Sequence, residues 1–240
     1  MQIVAFASLK GGVGKTSGAV FLAQALARRG SVLAVDIDAN NNLTDYFFHE
    51  ADPQAIEAAN VYHVLTGRMG AGQAIKTPIF GLDVLPSTPT LHLVSLELAQ
   101  DPGALLRFPA ELHRLSYDYV IIDTPPALVL ELRVALYCAE IVLCPVNFQT
   151  WTIQGFHLIR GEIERVQKTT GRSPRLLALP AIVTEKEDVG LRSLNTWTPT
   201  RSTIIKSAAV RIASTRGRAL KEGTRSWEDF ERLAKEIANG

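Results

Sequence analysis

The sequence predicts an α/β fold in which a doubly wound, mostly parallel sheet carries a phosphate-binding loop. Short apolar runs alternate with amphipathic segments along the chain of 240 residues. The runs are continuous rather than alternating in polarity, as expected for parallel strands that are covered on both faces. A stretch rich in glycine and lysine, ASLKGGVGKTS at residues 7–17, follows the first run. Together these features favour a P-loop NTPase fold.

The order of the predicted elements follows a β-α-β rhythm. Six apolar runs are predicted as buried strands, at residues 3–8, 32–38, 82–87, 119–126, 141–146 and 176–183. Helical patterns lie at residues 16–29, 53–65, 104–115, 128–138, 153–168, 207–215 and 227–239. This order places ligands at the carboxyl ends of the strands. Because no repeat or linker interrupts it, residues 1–240 are predicted to form a single domain.

Composition is that of an ordinary globular protein, with 47% apolar and 20% charged residues. No apolar run approaches the roughly 20 residues of a membrane helix. The first residues carry no basic region or cleavage signal, so a cytoplasmic location is expected. Cys138 and Cys144 belong to no metal or redox spacing, and they are predicted to be reduced thiols of the core.

The glycine-rich stretch departs from the common phosphate-loop pattern at one position and carries an extra lysine. The pattern G-x-x-x-x-G-K-[ST] asks for glycine where this chain has Leu9, and an extra lysine, Lys10, precedes the expected Lys15. Glycines between a strand and a helix let backbone amides approach a phosphate, and the helix N-terminus adds partial positive charge. Lys15 is expected to reach the β- and γ-phosphates. The predicted nucleotide-binding residues of this loop are Gly11, Gly12, Val13, Gly14, Lys15, Thr16 and Ser17.

Three aspartates end two of the predicted strands. Asp123 ends the run VIID, the position from which a Walker B carboxylate holds a metal shell. Asp36 and Asp38 end another strand, and the period of two points both side chains to the same side. One acid would serve metal-bound water and the other the attacking water, so Asp38 is predicted to be catalytic. The predicted metal site consists of Thr16, Asp36 and Asp123.

These motifs resemble those of the ParA/MinD family. KGGVGKT resembles its deviant Walker A motif, DIDANNNLTDYF its switch I, and VIIDTPP its Walker B and switch II. The ending resembles the ParA branch in the short form that lacks an N-terminal DNA-reading domain. The resemblance implies a slow, partner-stimulated ATPase that uses ATP and Mg²⁺. It also implies that Lys10 crosses the interface of an ATP-sandwich homodimer and contacts the phosphates of the other subunit, a catalytic role comparable to that of an arginine finger.

The sequence departs from the family pattern in three places, of which Ser17 in place of a common second Thr is minor. Asn40 and Asn41 stand where the family commonly has Gln and Gly. Lys206 and Ser207 occupy the area of a proline that packs on adenine in the family. The adenine base is placed near Pro180, Thr184 and Glu185, and Pro180 and Thr184 are added to the predicted nucleotide-binding residues.

The C-terminal third is basic although the whole chain has a net charge of only +1. Residues 160–240 carry a net charge of +6, and residues 201–225 alone contain seven basic residues and one acidic residue. No zinc or helix-turn-helix pattern is present, so contact with phosphates is favoured over sequence readout; a solvated basic surface is the plain alternative. The predicted DNA-binding residues are Lys206, Arg211, Arg216, Arg218 and Arg225.

The resemblance implies three kinds of partner: a second copy of the chain, non-specific double-stranded DNA of the nucleoid, and a cargo-bound adaptor similar to ParB. The cargo would be a plasmid or chromosome complex, or a protein assembly such as a carboxysome. A MinD-like regulator is the first alternative, but WEDFERLAKEIANG is mixed in charge, so no stable membrane association is expected. A metabolic P-loop ATPase is the second, although no acceptor-substrate pocket or cluster-ligating cysteine pair is recognisable.

Overall fold

A computed structural model describes residues 1–239 apart from positions 79, 102 and 149, with no account of the side chains of residues 150–152. Seven strands form one sheet in the order β3-β2-β4-β1-β5-β6-β7, and every pairing between neighbouring strands is parallel. The predicted α/β fold is therefore confirmed. The strands are β1 (Gln2–Phe6), β2 (Val32–Asp36), β3 (Asp83–Leu85), β4 (Tyr119–Asp123), β5 (Ile141–Val146), β6 (Arg175–Val183) and β7 (Ile204–Ile205).

Helices cover both faces of this sheet. The long ones are α1 (Lys15–Leu26), α7 (Ala104–His113), α8 (Leu130–Cys138), α9 (Thr150–Thr170) and α12 (Arg225–Ala238). The shorter ones are α2 (Asn42–Phe48), α3 (Pro53–Glu57), α4 (Val61–Leu65), α5 (Ala71–Ala74), α6 (Val94–Glu97), α10 (Glu185–Arg192) and α11 (Ala208–Thr215), together with a 3₁₀ helix at Pro89–Leu93.

Alternate residues of the central strand β1 face opposite apolar layers. Ile3 and Ala5 pack into the layer beneath α4, α7 and α8, whereas Val4 and Phe6 pack into the layer that contains α1 and α12. This is the period of two expected of a strand that is covered on both faces. Continuous apolar runs in the sequence are the direct result.

Helix α1 lies unusually close to the sheet, and this closeness positions the phosphate loop. A Cβ on Gly18 would lie 2.5 Å from Cε1 of Phe6, so only glycine lets α1 approach β1 to this distance. On its other side α1 packs against α12, where the ring centroids of Phe21 and Phe230 are 5.4 Å apart. Because it is buried on nearly all sides, α1 holds the loop that precedes it in a fixed place.

The structure contains elements that the sequence patterns did not reveal. The predicted helix at 53–65 is two short helices, since Asn60 adopts an extended backbone and caps α4. Helix α2 begins after Asn41, whose φ of 44° is left-handed. Helix α10 begins at a capping box in which Thr184 and Glu187 bond to each other; this T-x-x-E signal was available in the sequence.

Further expectations concern single residues and the whole chain. Cys138 and Cys144 are buried free thiols, as predicted, and burial raises the pKa of Cys144 to about 12. No helix within the described residues combines the length and apolarity that membrane crossing requires. The assignment of residues 1–240 to a single domain stays a prediction.

Candidate nucleotide and metal site

A cavity of about 740 Å³ opens at the carboxyl ends of β1, β2 and β4, where the sequence predicts the ligand. Three segments supply most of its lining: the loop before α1 with the start of that helix, the segment from Asp38 into α2, and a turn after α11. Its lining includes Gly11, Gly12, Gly14, Lys15, Thr16, Ser17, Asp38, Asn40, Asn42, Asp45, Tyr46, His49, Ile182, Ser214, Thr215, Arg216 and Gly217.

The phosphate loop has the backbone that its glycines allow. Gly12 and Gly14 have φ values of 73° and 94°, in the left-handed region. No atom lies within 4 Å of where a Cβ on Gly11 or Gly12 would stand, so the loop presents bare backbone to the cavity. Gly14 is the N-cap of α1 and supplies no side-chain cap. The first amides of α1 are therefore open to an anion.

Lys15 points back over the loop. Its Nζ donates a hydrogen bond to the carbonyl oxygen of Lys10 at 3.1 Å, and only 7% of the residue is exposed. Burial lowers the pKa of Lys15, and the charges of Asp123 and Asp38 oppose that shift. A cation held this close to the loop would contact phosphate oxygens. Lys10 itself is half-buried.

Asp123 fits a metal shell. It is 1% exposed, and neither carboxylate oxygen has a hydrogen-bond partner of good geometry among the described residues. Burial, followed by the charge of Asp36, raises its pKa to about 8, while the nearby Thr16 hydroxyl and Lys15 oppose the shift. An unpartnered buried carboxylate is costly unless a cation satisfies it. Asp123 and Thr16 are the residues here that would hold Mg²⁺.

Asp36 is bonded differently. Its Oδ2 accepts from both the backbone amide and the hydroxyl of Thr44 at 2.8 Å, and its Oδ1 accepts from the amide of Asp38 at 3.1 Å. Burial raises its pKa to about 7. Both oxygens thus serve to hold the segment between β2 and α2. The place of Asp36 in the metal site stays a prediction.

Asp38 lines the same cavity as the phosphate loop. Its Oδ1 accepts from the backbone amide of Asn40 at 2.9 Å and from the Asn40 side chain at 3.0 Å. Only 7% of the Asp38 residue is exposed, and Asp38, Lys15 and Thr16 line the same cavity. This is a position from which a carboxylate can orient water toward a phosphate.

Comparison with known proteins agrees with this geometry. A family model described as an AAA domain matches residues 1–176. The chromosome-partitioning ATPase Soj of Thermus thermophilus is 37% identical over 182 residues, which cover 75% of this chain and 68% of that protein. The chromosome partitioning protein ParA of Caulobacter vibrioides is 32% identical over 182 residues, covering 73% and 66%. The chain belongs to the ParA family.

Solved structures share the ParA-family fold along the whole chain. Apo McdA from Cyanothece has a TM-score of 0.87 at 24% identity and covers 99% of both chains. Cobyrinic acid a,c-diamide synthase from Mycobacterium smegmatis, with an ATP analogue and magnesium, has a TM-score of 0.82 at 23% identity and covers 98% and 93%. At these identities the likeness shows the fold alone. Membership of the ParA family confirms the prediction of an ATPase. The synthase that shares the fold holds an ATP analogue with magnesium, which agrees with the predicted ATP and Mg²⁺.

One side of the ParA-family site was missed by sequence reasoning. The turn that follows α11 lines the cavity with Arg216 and Gly217, and the hydroxyl oxygens of Ser17 and Ser214 lie 2.9 Å apart. Gly217 has a φ of 56°, and a Cβ there would lie 2.9 Å from Nδ1 of His49. About 200 residues separate the phosphate loop from this turn, so no local motif joins them.

The predicted base contacts lie elsewhere. Pro180 is buried within β6, and Thr184 is an exposed cap of α10; neither is among the described residues that line the cavity. Ile182, between them, does line it. Its φ of 58° is rare for a β-branched residue, and its Cδ1 would be 3.2 Å from a Cβ on Gly14. The prediction that Pro180 and Thr184 contact the base is not supported by this geometry.

The five predicted DNA-binding residues are all exposed, but their settings differ. Lys206 follows β7, Arg211 lies on α11, and Arg218 lies in the loop after it. Arg216 lines the nucleotide cavity. Arg225, at the start of α12, forms an ion pair with Glu185 at 2.6 Å. The structure therefore brings part of the basic region to the cavity.

Proposed function

We propose that this chain is a ParA-type positioning ATPase. ATP binding joins two copies into a sandwich homodimer, and the dimer binds double-stranded DNA without sequence preference. A cargo-bound, ParB-like adaptor stimulates hydrolysis and releases the dimer from DNA. The protein would then be cytoplasmic and associated with the nucleoid. The cargo is a plasmid or chromosome complex, or a protein assembly such as a carboxysome.

One observation carries the proposal: Arg216 is both exposed in the basic region and part of the lining of the nucleotide cavity. A change in nucleotide state at this cavity has a direct physical route to the cations that would contact DNA phosphates. Binding that differs between nucleotide states is what a switch requires. The surrounding cations, including Arg211 and Arg218, supply the charge.

The residues of the site take separate parts in hydrolysis. Gly11, Gly12 and Gly14 present backbone amides to the phosphates, and Lys15 neutralises phosphoryl charge from the same subunit. Lys10 would deliver a second cation to the phosphates of the partner copy. Bound Mg²⁺, held through Thr16 and Asp123, would neutralise charge on the phosphate oxygens. Asp38 would orient the attacking water.

The structure weakens the MinD-like alternative. Helix α12 is strongly amphipathic, but its apolar face packs into the core. The buried members of that face are Trp227, Phe230, Leu233, Ala234 and Ile237. Because the apolar face of α12 is buried in the core, the helix has little apolar surface that could bind a membrane. A metabolic ATPase stays the second candidate because the synthase of Mycobacterium smegmatis shares the fold.

The deciding experiment measures binding to a random-sequence DNA duplex with ATP, with ADP and without nucleotide, over a salt series. The proposal expects tight binding only with ATP and Mg²⁺, and an affinity that falls steeply as salt rises. Vesicles of anionic lipid serve as the comparison surface. Absence of DNA binding in every state would refute the proposal, and ATP-dependent binding to vesicles instead would favour the MinD-like alternative.

A further inference from the structure

Ser87 connects the loop after β3 to the aspartate segment after β2. It is fully buried, and its Oγ donates a hydrogen bond to the carbonyl oxygen of Asp38 at 2.9 Å. Its backbone amide donates to Oγ1 of Thr44 at 2.8 Å. The two strands are neighbours, with Leu85 paired to Val35, so the two loops leave the sheet side by side. A single serine therefore contacts both ends of the segment from Asp38 to Thr44.

These contacts close a ring of hydrogen bonds. The Thr44 hydroxyl, which accepts from Ser87, donates to Oδ2 of Asp36 at 2.8 Å. Oδ1 of Asp36 accepts from the backbone amide of Asp38 at 3.1 Å. The ring thus runs from Ser87 through Thr44 and Asp36 to Asp38, and back to Ser87. All four residues are buried.

The ring fixes the backbone of Asp38 on both sides. Asp36 holds its amide and Ser87 holds its carbonyl oxygen, which also accepts from the amide of Asn41 at 2.9 Å. The Asn41 contact shapes the turn itself but does not attach it to the sheet. The Ser87 hydroxyl makes that attachment from the loop that follows the neighbouring strand β3. With the backbone anchored, the Cα–Cβ bond of Asp38 has one direction, and the two hydrogen bonds from Asn40 to Oδ1 then hold the carboxylate at the cavity.

We propose that Ser87 is a positioning residue for ATP hydrolysis, acting through Asp38. This inference rests on the proposed role of Asp38 in orienting water. Ser87 is not among the residues that line the cavity, so it acts on the reaction through the backbone of Asp38 alone. A displacement of about 1 Å in a catalytic group can cost up to about a hundredfold in rate. Nucleotide affinity depends on the phosphate loop and should change little.

The test compares Ser87→Ala with Thr88→Val. Thr88 is the adjacent residue, is 5% exposed, and has a buried hydroxyl without a hydrogen-bond partner among the described residues. Single-turnover hydrolysis of bound ATP and the affinity for ATP are measured for both variants. Ser87→Ala should hydrolyse ATP about tenfold or more slowly, with affinity within about twofold of the unsubstituted chain. Thr88→Val should keep both values.

A second variant guards against a loss of folding. Ser87→Cys keeps nearly the same volume but offers a weaker donor, so it should give an intermediate hydrolysis rate at unchanged ATP affinity. Equal losses of rate and affinity in Ser87→Ala and Ser87→Cys would indicate a structural role and overturn the inference. So would an equal loss of rate in Thr88→Val.

Asp38→Ala separates this inference from the proposed function. If Asp38→Ala stops hydrolysis while Ser87→Ala hydrolyses at the normal rate, the positioning role of Ser87 is refuted and the role of Asp38 stands. If Asp38→Ala hydrolyses normally, the proposed role of Asp38 is refuted and the inference falls with it. A slow Ser87→Ala beside an inactive Asp38→Ala supports both.

Discussion

The aspartate segment, residues 36–44, and the basic segment, residues 201–225, border the same cavity but are built in opposite ways. In the first, Asp36, Asp38 and Thr44 are buried, and their polar atoms bond to one another within a few residues. In the second, the predicted DNA-binding cations are exposed, and α11 buries only Ala213. The first is held in one geometry, whereas the second presents charge on a lightly packed helix.

The difference separates two kinds of function. Orienting water requires fixed geometry, which a closed and buried network supplies. Attracting a DNA backbone requires charge of one sign, and long exposed side chains supply it without fixed partners. Substitutions in the aspartate segment should therefore have large and specific effects, and single substitutions in the basic segment should have small and graded ones.

The largest effect is expected for Asp38→Ala. Loss of the carboxylate should slow ATP hydrolysis by about a hundredfold or more. ATP binding should persist because the phosphate loop is intact, so the variant should accumulate as an ATP-bound dimer on DNA. Phosphate release and DNA retention are measured together. Glu50→Gln, an exposed acid beyond the end of α2, is the control, and normal turnover by Asp38→Ala would contradict the role.

The next effect is expected for Lys10→Ala. If this lysine acts on the phosphates of the partner copy, the dissociation constant of the ATP-bound dimer should rise at least about tenfold, while the monomer keeps most of its affinity for ATP. Analytical ultracentrifugation with ATP measures the dissociation constant of the dimer, and titration with a fluorescent nucleotide measures the affinity of the monomer for ATP. Lys15→Ala is the contrasting variant and should lose ATP affinity itself. Unchanged dimerisation of Lys10→Ala would rule out the role in trans.

A smaller effect is expected on the pH dependence of stability. Burial raises the pKa of Asp123 to about 8 and the pKa of Asp36 to about 7. The charged groups beside these two carboxyls include Lys15 and Asp38. Between the unfolded value near 4 and these folded values, the folded chain binds more protons than the unfolded chain. The free energy of unfolding should therefore fall as pH rises from 5 to 8, by at most about 1.4 kcal/mol per pH unit and group.

Urea unfolding of the chain without nucleotide or Mg²⁺ measures this slope. Asp123→Asn removes one of the two titrating groups and keeps the side-chain volume, so its curve should be flatter than that of the unsubstituted chain. Added Mg²⁺ should also reduce the slope, because a cation replaces the proton on Asp123. Identical pH profiles for the two chains would show that Asp123 does not titrate in this range.

The smallest effect is expected for Glu185→Gln. Its ion pair with Arg225 occupies one cation that is predicted to bind DNA. Exposed pairs are weak, so DNA affinity should rise only about twofold. The gain in DNA affinity should vanish in an Arg225→Gln background. A gain that persists there would mean that the Glu185 carboxylate repels the DNA phosphates directly, without acting through Arg225. Glu222→Gln, whose partner Arg28 is outside the predicted set, is the matched control.

The sequence predicted the fold and the phosphate loop because both depend on short-range patterns. Apolar runs follow from burial on two faces, and Gly14, Lys15 and Thr16 are adjacent in the chain. Ser87 gave no such signal, since its partners Asp38 and Thr44 lie more than 40 residues away and a serine after a strand is common. The turn after α11 gave no signal for the same reason, because only folding brings Ser214 beside Ser17.

The turn after α11 limits which C-terminal segments can be exchanged between ParA-family proteins. Backbone at Gly217 packs so closely on α2 that a Cβ would lie 2.9 Å from both His49 Nδ1 and the Tyr46 carbonyl oxygen. The family model matches residues 1–176 and stops before this turn. A chimera that grafts a foreign C-terminal third onto this chain therefore joins two surfaces shaped in different proteins. Such a graft needs to carry its own counterpart of residues 42–50, so that the backbone at position 217 again packs on α2 without a clash.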